Sequence, residues 1–365
     1  VSLFLLDADR DWRASQNQVL SVARELRRKG LASQLVVEPE SELFSRASAE
    51  GLPVLPLRMR GRLGWLVRRS LVREMRTHGC RLLHAHDTFG AALGFAAAAT
   101  AMVPLRILSR AADSSPLEGG LPLASIDAFI AETGAVKSIL VRGGVPDAAV
   151  EVIPQGVDFS RFTGQPRGDF VRRELGLGPE DFLVGAVLPL EDERGLQALL
   201  EASAIVGAQA PKIKIVVLGE GTLRLEAGEE AAVPPLDGVR YFLGFRDETS
   251  RVLASLDMFV VFSHLDGLGG RLVEAMVSGL PVAAADVGAA RDLILHRESG
   301  LLVPPRNAKA LADAVLKICF DRNLAARLAA KGREAVLEKY SAEAMARRVI
   351  GVYEYRAHRK GLKLA

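Results

Sequence analysis

Aromatic residues are scarce: Phe, Trp and Tyr together make up 5% of the 365 residues. With so few rings, the chain lacks the stacking platform expected of a single-strand nucleic-acid binder. Cysteine is scarcer still. Cys80 and Cys319 stand far apart and without metal-ligand spacing, which excludes a disulfide-rich scaffold and predicts a reducing compartment, although a bond between the two stays open. A dominant charge is also missing, since 47 Lys and Arg face 44 Asp and Glu for a net +3, too little to argue for nucleic acid. Long apolar runs are absent too. The low-charge stretch 90–104 falls short of the roughly 20 residues that span a bilayer. The apolar residues 1–6 stop at Asp7 with no basic run before them, which reads as a strand and not as a secretion signal. Together these features predict a cytoplasmic protein.

What is present is an aliphatic α/β rhythm. A chain of this length exceeds one comfortable core, so two domains of roughly 150–200 residues are expected. Short apolar runs at 1–6, 35–37, 82–85, 105–108 and 128–131 read as buried strands. Between the first two, Val19, Leu20, Val22, Ala23 and Leu26 recur at helical spacing up to Gly30, a helix terminator. The second half repeats the rhythm, with strands at 182–187, 214–218, 239–243, 258–262 and 281–284 and helices at 196–206, 271–277 and 308–320. Alternation of this kind predicts two Rossmann-like, doubly wound parallel-sheet domains with helices on both faces. The stretch 152–158 and the Gly/Pro-rich sequence after Phe162 read as a linker. The expected division is 1–158, then 159–340, with a C-terminal helix in 341–365 packing back on the first domain. Two such sheets would turn their strand carboxyl ends towards a common cleft, where ligands bind.

The most informative segment lies between Met258 and Ala284. A strand is followed by His264-Leu265-Asp266-Gly267-Leu268-Gly269-Gly270, a helix carrying Glu274, and Gly279-Leu280-Pro281 opening another strand. Glycines before a helix expose amides at its positive end, which favours phosphate. Carboxylates beside them, here Asp266 and Glu274, suit sugar hydroxyls.

This segment resembles the acidic-x7-acidic signature of retaining nucleotide-sugar glycosyltransferases of the GT-B fold, family-4 type. Glu274-Ala275-Met276 and Gly279-Leu280-Pro281-Val282-Ala283 fall in register with it. The resemblance extends along nearly the whole chain. It includes Gly219-Glu220-Gly221, Leu243-Gly244-Phe245, residues 300–305, and Ile153-Pro154-Gln155-Gly156-Val157-Asp158. In the first half it includes Asp11-Trp12-Arg13, Gln18-Val19-Leu20 and His84-Ala85-His86-Asp87. It implies sugar transfer from a nucleotide-diphosphate donor to a glycan or lipid-linked acceptor, with retention and no obligatory metal or other cofactor. By that likeness Glu274 holds the donor ribose and Asp266 touches the donor sugar. Gly269 and Gly270 meet the phosphates, Gly219, Gly244 and Phe245 complete the donor pocket, and His86 lies near the reacting centre on the acceptor side.

Departures from the family fall on the same site. Ala14-Ser15 stands where a Gly-Gly pair is usual, and a Cβ there crowds a close backbone approach. Of the usual Arg and Lys that neutralise the diphosphate, the first is Pro189 and the second Arg194. Each lost charge-assisted contact is worth about 1.5–3 kcal/mol. Asp266 is one methylene shorter than the usual Glu, and Arg291 is a candidate substitute cation. These changes keep a second reading open, a weak or inactive GT-B scaffold that binds nucleotide, sugar or a partner protein. A GT-B epimerase fits less well, because that group does not typically carry the Asp266–Glu274 signature.

His84, inside a strand, reads as a packed core histidine, whereas His86 at the strand end reads as functional. Asp7-Ala8-Asp9 has the form of an Asp-x-Asp metal motif but follows the first strand directly, where acids are common, and no metal ligand set is expected. Eight arginines between Arg58 and Arg81, with Glu74 the only acid, interleave with apolar residues. They predict either a solvated helix face or a basic amphipathic surface resting on anionic lipid at the inner face of the membrane.

Overall fold

A computed structural model describes residues 2–12, 14–60, 64–110, 123–163, 167–187, 193–218, 240–244, 248–263 and 269–364, with backbone alone at 14, 193, 194, 240 and 244. The chain divides into two compact units: Val1–Gly156 with Ala342–Ala365, and Val157–Ser341.

The first unit is built on a seven-stranded sheet. In chain order its strands are β1 (Ser2–Asp7), β2 (Ser33–Val37), β3 (Val54–Pro56), β4 (Cys80–Ala85), β5 (Leu105–Arg110), β6 (Ala128–Ala131) and β7 (Val150–Val152). Its helices are α1 (Ala14–Arg28), α2 (Glu42–Ala49), α3 (Gly64–Thr77), α4 (Thr88–Ala101) and α5 (Gly134–Arg142). The spatial order is β3-β2-β1-β4-β5-β6-β7, and every pairing is parallel.

The alternation of side chains along β1 explains the layering. Leu3 and Leu5 join one apolar cluster with Val19, Leu26 and Tyr353, and Phe4 and Leu6 join another with Leu71, Ala91 and Phe95. Both faces are covered, as a parallel sheet requires. Truncating Leu5 or Leu6, each fully buried, to Ala would cost about 2–5 kcal/mol.

Local sequence sets the helix ends. Gly30 takes a left-handed φ of 70° and ends α1. Asp87 caps α4 by accepting from the Gly90 amide at 2.7 Å. A Cβ at Gly90 would lie 2.3 Å from Leu6 Cδ2, so glycine is what lets α4 settle against β1.

The second unit carries a six-stranded parallel sheet ordered β10-β9-β8-β11-β12-β13. Its strands are β8 (Phe182–Val187), β9 (Ile213–Leu218), β10 (Arg240–Gly244), β11 (Met258–Val261), β12 (Val282–Ala285) and β13 (Leu301–Val303). The helices are α6 (Phe170–Glu174), α7 (Glu193–Gln209), α8 (Thr249–Ala254), α9 (Gly269–Val277), α10 (Gly288–Leu293), α11 (Ala308–Phe320) and α12 (Arg322–Leu337). Val184 and Ala186 face one apolar layer with α7 and α11, and Phe259 and Val261 face the other with α9.

The final helix, α13 (Ala342–Arg359), returns to the first unit, where Met345, Val349 and Tyr353 pack with residues of α1. Three short strands, β3, β7 and β13, lie beyond those read from the sequence. Of these, β7 takes up the start of the expected linker, and Val157 pairs in a bridge with Ser341.

Candidate active site

In each sheet the strand order reverses once, between β1 and β4 in the first unit and between β8 and β11 in the second. Loops leaving the carboxyl ends of such neighbouring strands diverge and leave a crevice, the usual ligand position in open α/β sheets. His86 follows β4 at the first of these places, and at the second α9 with Glu274 follows β11 while α7 with Arg194 follows β8.

In the first unit the crevice is lined with buried polar groups. Asp7 ends β1, has no solvent exposure, and accepts from the Asp9 amide at 3.0 Å and from Gln16 Nε2 at 3.2 and 3.1 Å. Burial, with help from the nearby Asp87 carboxylate, raises its pKa to about 7. Asp87 accepts the Ala8 amide at 2.7 Å while capping α4, and burial raises its pKa as well. Arg60 closes the loop from above, donating Nε to the Ala8 carbonyl at 2.9 Å and pairing with Asp9 at 2.5 Å. Glu38, one residue past β2, holds Arg60 in turn by accepting its amide at 2.7 Å.

His86 lies one residue past β4, its amide donating to the Leu6 carbonyl at 3.0 Å. The side chain is buried, its Nε2 has no hydrogen-bond partner, and burial lowers its pKa to about 3. It is therefore a neutral imidazole with a free ring nitrogen, suited to exchanging a hydrogen bond with a hydroxyl. His84 is fully buried and bonded through both ring nitrogens, to Tyr353 Oη and Ser109 Oγ.

In the second unit α9 begins at Gly269, with Gly270 also in its first turn. A Cβ on Gly269 would stand 2.8 Å from the Ala289 Cβ, so close packing of α10 is itself a reason for this glycine. Glu274 lies farther along α9, mostly buried, and pairs with Arg271 at 2.9 Å. Arg271 also donates to Thr249 at the start of α8. Arg291, on α10, is largely exposed and spends both its Nε and a terminal nitrogen on Asp286, at 2.8 and 2.9 Å. That pairing competes with service as a substitute cation. Arg194 falls in the first turn of α7 and Gly244 ends β10. Gly219, Phe245, His264, Asp266 and Pro189 lie outside the described residues.

Sequence reading missed Asp7, Gln16, Asp87, Arg60 and Arg271. In sequence Asp7 reads as an ordinary strand-end acid, because its buried setting depends on Gln16 and Asp87, which only the fold brings close. Among the described residues no group of three or more His, Cys, Asp and Glu could hold a metal.

The arginine-rich stretch divides. Arg58 and Arg60 are paired with Glu40 and Asp9. Arg81 belongs to β4 and Arg62 lies outside the described residues, whereas Arg68, Arg69, Arg73 and Arg76 lie on α3, where Trp65 is 59% exposed. An open groove of about 890 Å³ there is lined by Trp65, Arg68, Arg69, Arg73, Arg76 and Thr100. No described helix is long and apolar enough to cross a membrane.

Comparison with known proteins agrees with this arrangement. The family model described as glycosyl transferases group 1 matches residues 169–335, and that described as glycosyltransferase family 4 matches 15–161. The lipopolysaccharide core biosynthesis mannosyltransferase LpsB of Rhizobium meliloti is 29% identical over 238 residues, 63% of this chain and 66% of its own length. The phosphatidyl-myo-inositol mannosyltransferase of Mycolicibacterium smegmatis is 34% identical over 217 residues, 56% of this chain and 52% of its own. The chain thus spans between half and two thirds of the length of these two relatives. Among solved structures, Anabaena HepE in complex with UDP superposes with a TM-score of 0.80 at 19% identity, covering 97% of this chain and 100% of that one. Two Rossmann-type parallel sheets, a glycine-led α9 carrying Glu274, and family matches over both halves lead to one conclusion: the chain belongs to the group 1, family-4-type glycosyltransferases of the GT-B fold.

Proposed function

We propose that the protein transfers a sugar from a nucleoside-diphosphate donor to a glycan or lipid-linked acceptor, with retention of anomeric configuration and no obligatory metal ion. The relatives named above as mannosyltransferases, and a solved relative holding UDP, support this reading. The observation that carries it is Glu274, a mostly buried carboxylate on the helix that leaves the switch point of the second sheet.

The second unit serves the donor. Glu274 accepts from the ribose hydroxyls and Asp266 from the donor sugar. The amides of Gly269 and Gly270, with Gly219, receive the diphosphate, and Gly244 and Phe245 border the base. As the anomeric carbon–oxygen bond breaks, negative charge gathers on the β-phosphate. Arg194 and the positive end of α9 stabilise it, with Arg291 available once it leaves Asp286. The acceptor oxygen bonds to the anomeric carbon on the face the phosphate leaves, and its proton passes to the departing phosphate oxygen. The first unit serves the acceptor, with the neutral His86 as hydrogen-bond partner. One charge-assisted contact at the phosphate contributes about 1.5–3 kcal/mol, so a site with fewer cations turns over more slowly.

The test incubates the protein with UDP-glucose, UDP-N-acetylglucosamine or GDP-mannose in EDTA and measures nucleoside diphosphate release. Release from one donor, abolished in Glu274→Ala, is expected. Binding of UDP or GDP without any release would favour the non-catalytic scaffold.

The α3 face favours a membrane-surface location as well. Exposed Trp65 and Leu66 beside Arg68, Arg69, Arg73 and Arg76 combine an apolar anchor with charge for anionic lipid. Co-sedimentation with anionic vesicles but not neutral ones is expected, and equal binding to both would contradict it.

A further inference from the structure

The imidazoles of His84 and His86 are two residues apart, so they project from the same face of the first sheet. Their ring centroids stand 3.9 Å apart at an interplanar angle of 41°. The two rings are held very differently. His84 is pinned at both nitrogens, Nδ1 lying 2.5 Å from Tyr353 Oη and Nε2 2.8 Å from Ser109 Oγ. His86 Nε2 is buried without a partner.

Proton accounting fixes the direction of the first contact. Tyr353 is fully buried on α13 and has one hydroxyl proton to place. Donating it to His84 Nδ1 satisfies both groups, whereas the reverse would strand a phenolic proton in an apolar core. His84 is then the tautomer protonated on Nε2, which donates to Ser109 Oγ. Burial keeps Tyr353 protonated and His84 neutral, so the arrangement persists across the ordinary pH range. A ring locked in this way presents a fixed surface to its neighbour.

We propose that Tyr353 and His84 are positioning residues for His86, through which the C-terminal helix sets the orientation of the imidazole serving the acceptor. The inference rests on the transferase reading of His86. It gives α13 a task beyond covering the sheet: Tyr353 reaches the β4 histidine from a helix that the chain supplies only after completing its second unit.

Nuclear magnetic resonance on the full chain labelled with ¹⁵N-histidine tests it without relying on turnover. With six histidines, the long-range proton–nitrogen spectrum is assignable by single substitutions. In the unaltered protein His84 should show one tautomer, protonated on Nε2. Tyr353→Phe should mix the His84 tautomers and shift or broaden the His86 signals. Ser109→Ala, which breaks the other tether without touching α13, should also move His86. Tyr355→Phe, at an exposed position on the same helix, should change neither. His86 signals that stay fixed in both Tyr353→Phe and Ser109→Ala overturn the proposal.

With a donor identified by nucleoside diphosphate release, Tyr353→Phe should lower kcat by roughly tenfold, within the loss that small misplacements of a reacting group produce. KM for the donor should stay within about twofold. If His86→Ala keeps full turnover while Tyr353→Phe still moves the His86 signals, the assignment of His86 to the reaction fails and the strut stands. If His86→Ala abolishes turnover and Tyr353→Phe leaves kcat intact, the strut fails and the assignment stands.

Discussion

Gln16 donates through Nε2 to both carboxylate oxygens of Asp7, at 3.2 and 3.1 Å, tying the first helix to the end of the first strand. The bond does not offset burial. Asp7 has its pKa raised from 3.8 to about 7, by loss of solvent first and by Asp87 second. Such a group binds its proton more tightly in the folded state. Its stabilising share is complete below pH about 4, declines as pH rises towards 7, and is gone above that.

Asp7→Asn keeps the shape and removes the charge. Its stability relative to the unaltered protein should therefore improve between pH 5 and 8, by on the order of 2–4 kcal/mol at the upper end. His84 and His86 act in the opposite sense, since burial lowers both and their share is lost as pH falls below 6.5. They are common to both proteins and cancel in the difference. Urea unfolding of the pair at several pH values reads it directly. A difference independent of pH would mean Asp7 is charged throughout.

Gly269→Ala places a methyl group 2.8 Å from the Ala289 Cβ. Overpacking between α9 and α10 should destabilise the protein by about 1–3 kcal/mol. Ala289→Gly in the same chain should recover most of the loss, because the two positions share one contact. Thermal unfolding of the four proteins of the cycle measures the coupling. Additive losses would show that Gly269 is not there for packing.

Arg60→Ala removes the bond to the Ala8 carbonyl and the pair with Asp9. Arg60 and Asp9 are both partly exposed, so the global cost should stay near 1 kcal/mol. The local effect should be larger. Amide exchange at Ala8 and Asp9 should quicken while amides in β4 keep their protection. Uniform acceleration along both strands would show that Arg60 supports the whole unit and not this loop.

Elements with a clear apolar spacing were legible in the sequence, and the shortest strands were not. The strands at 128–131 and 182–187 and the helix at 308–320 stand where the apolar spacing put them. β3, β7 and β13 have three residues each, too few to show a period, and Pro56 ends the first of these. The parallel pairing of the strands in two sheets followed from the alternation of elements. The polar crevice did not, because Asp7, Gln16, Asp87 and Arg60 are brought together by loops whose lengths carry no chemical signal. Glu274 was legible because its setting between a glycine-led turn and Gly279-Leu280-Pro281 is contiguous. Its pairing with Arg271, three positions earlier on the same helix, was equally within reach of spacing alone.

The most direct measurement is calorimetric titration of UDP and GDP into the unaltered protein and into Glu274→Gln, with donor consumption followed in parallel. The account predicts that one nucleotide binds, that Glu274→Gln weakens it by one to two decades as a charge-assisted contact is lost, and that donor consumption falls at least as far. Equal affinity in the two proteins, or consumption that survives the substitution, would contradict the assignment of the donor to α9.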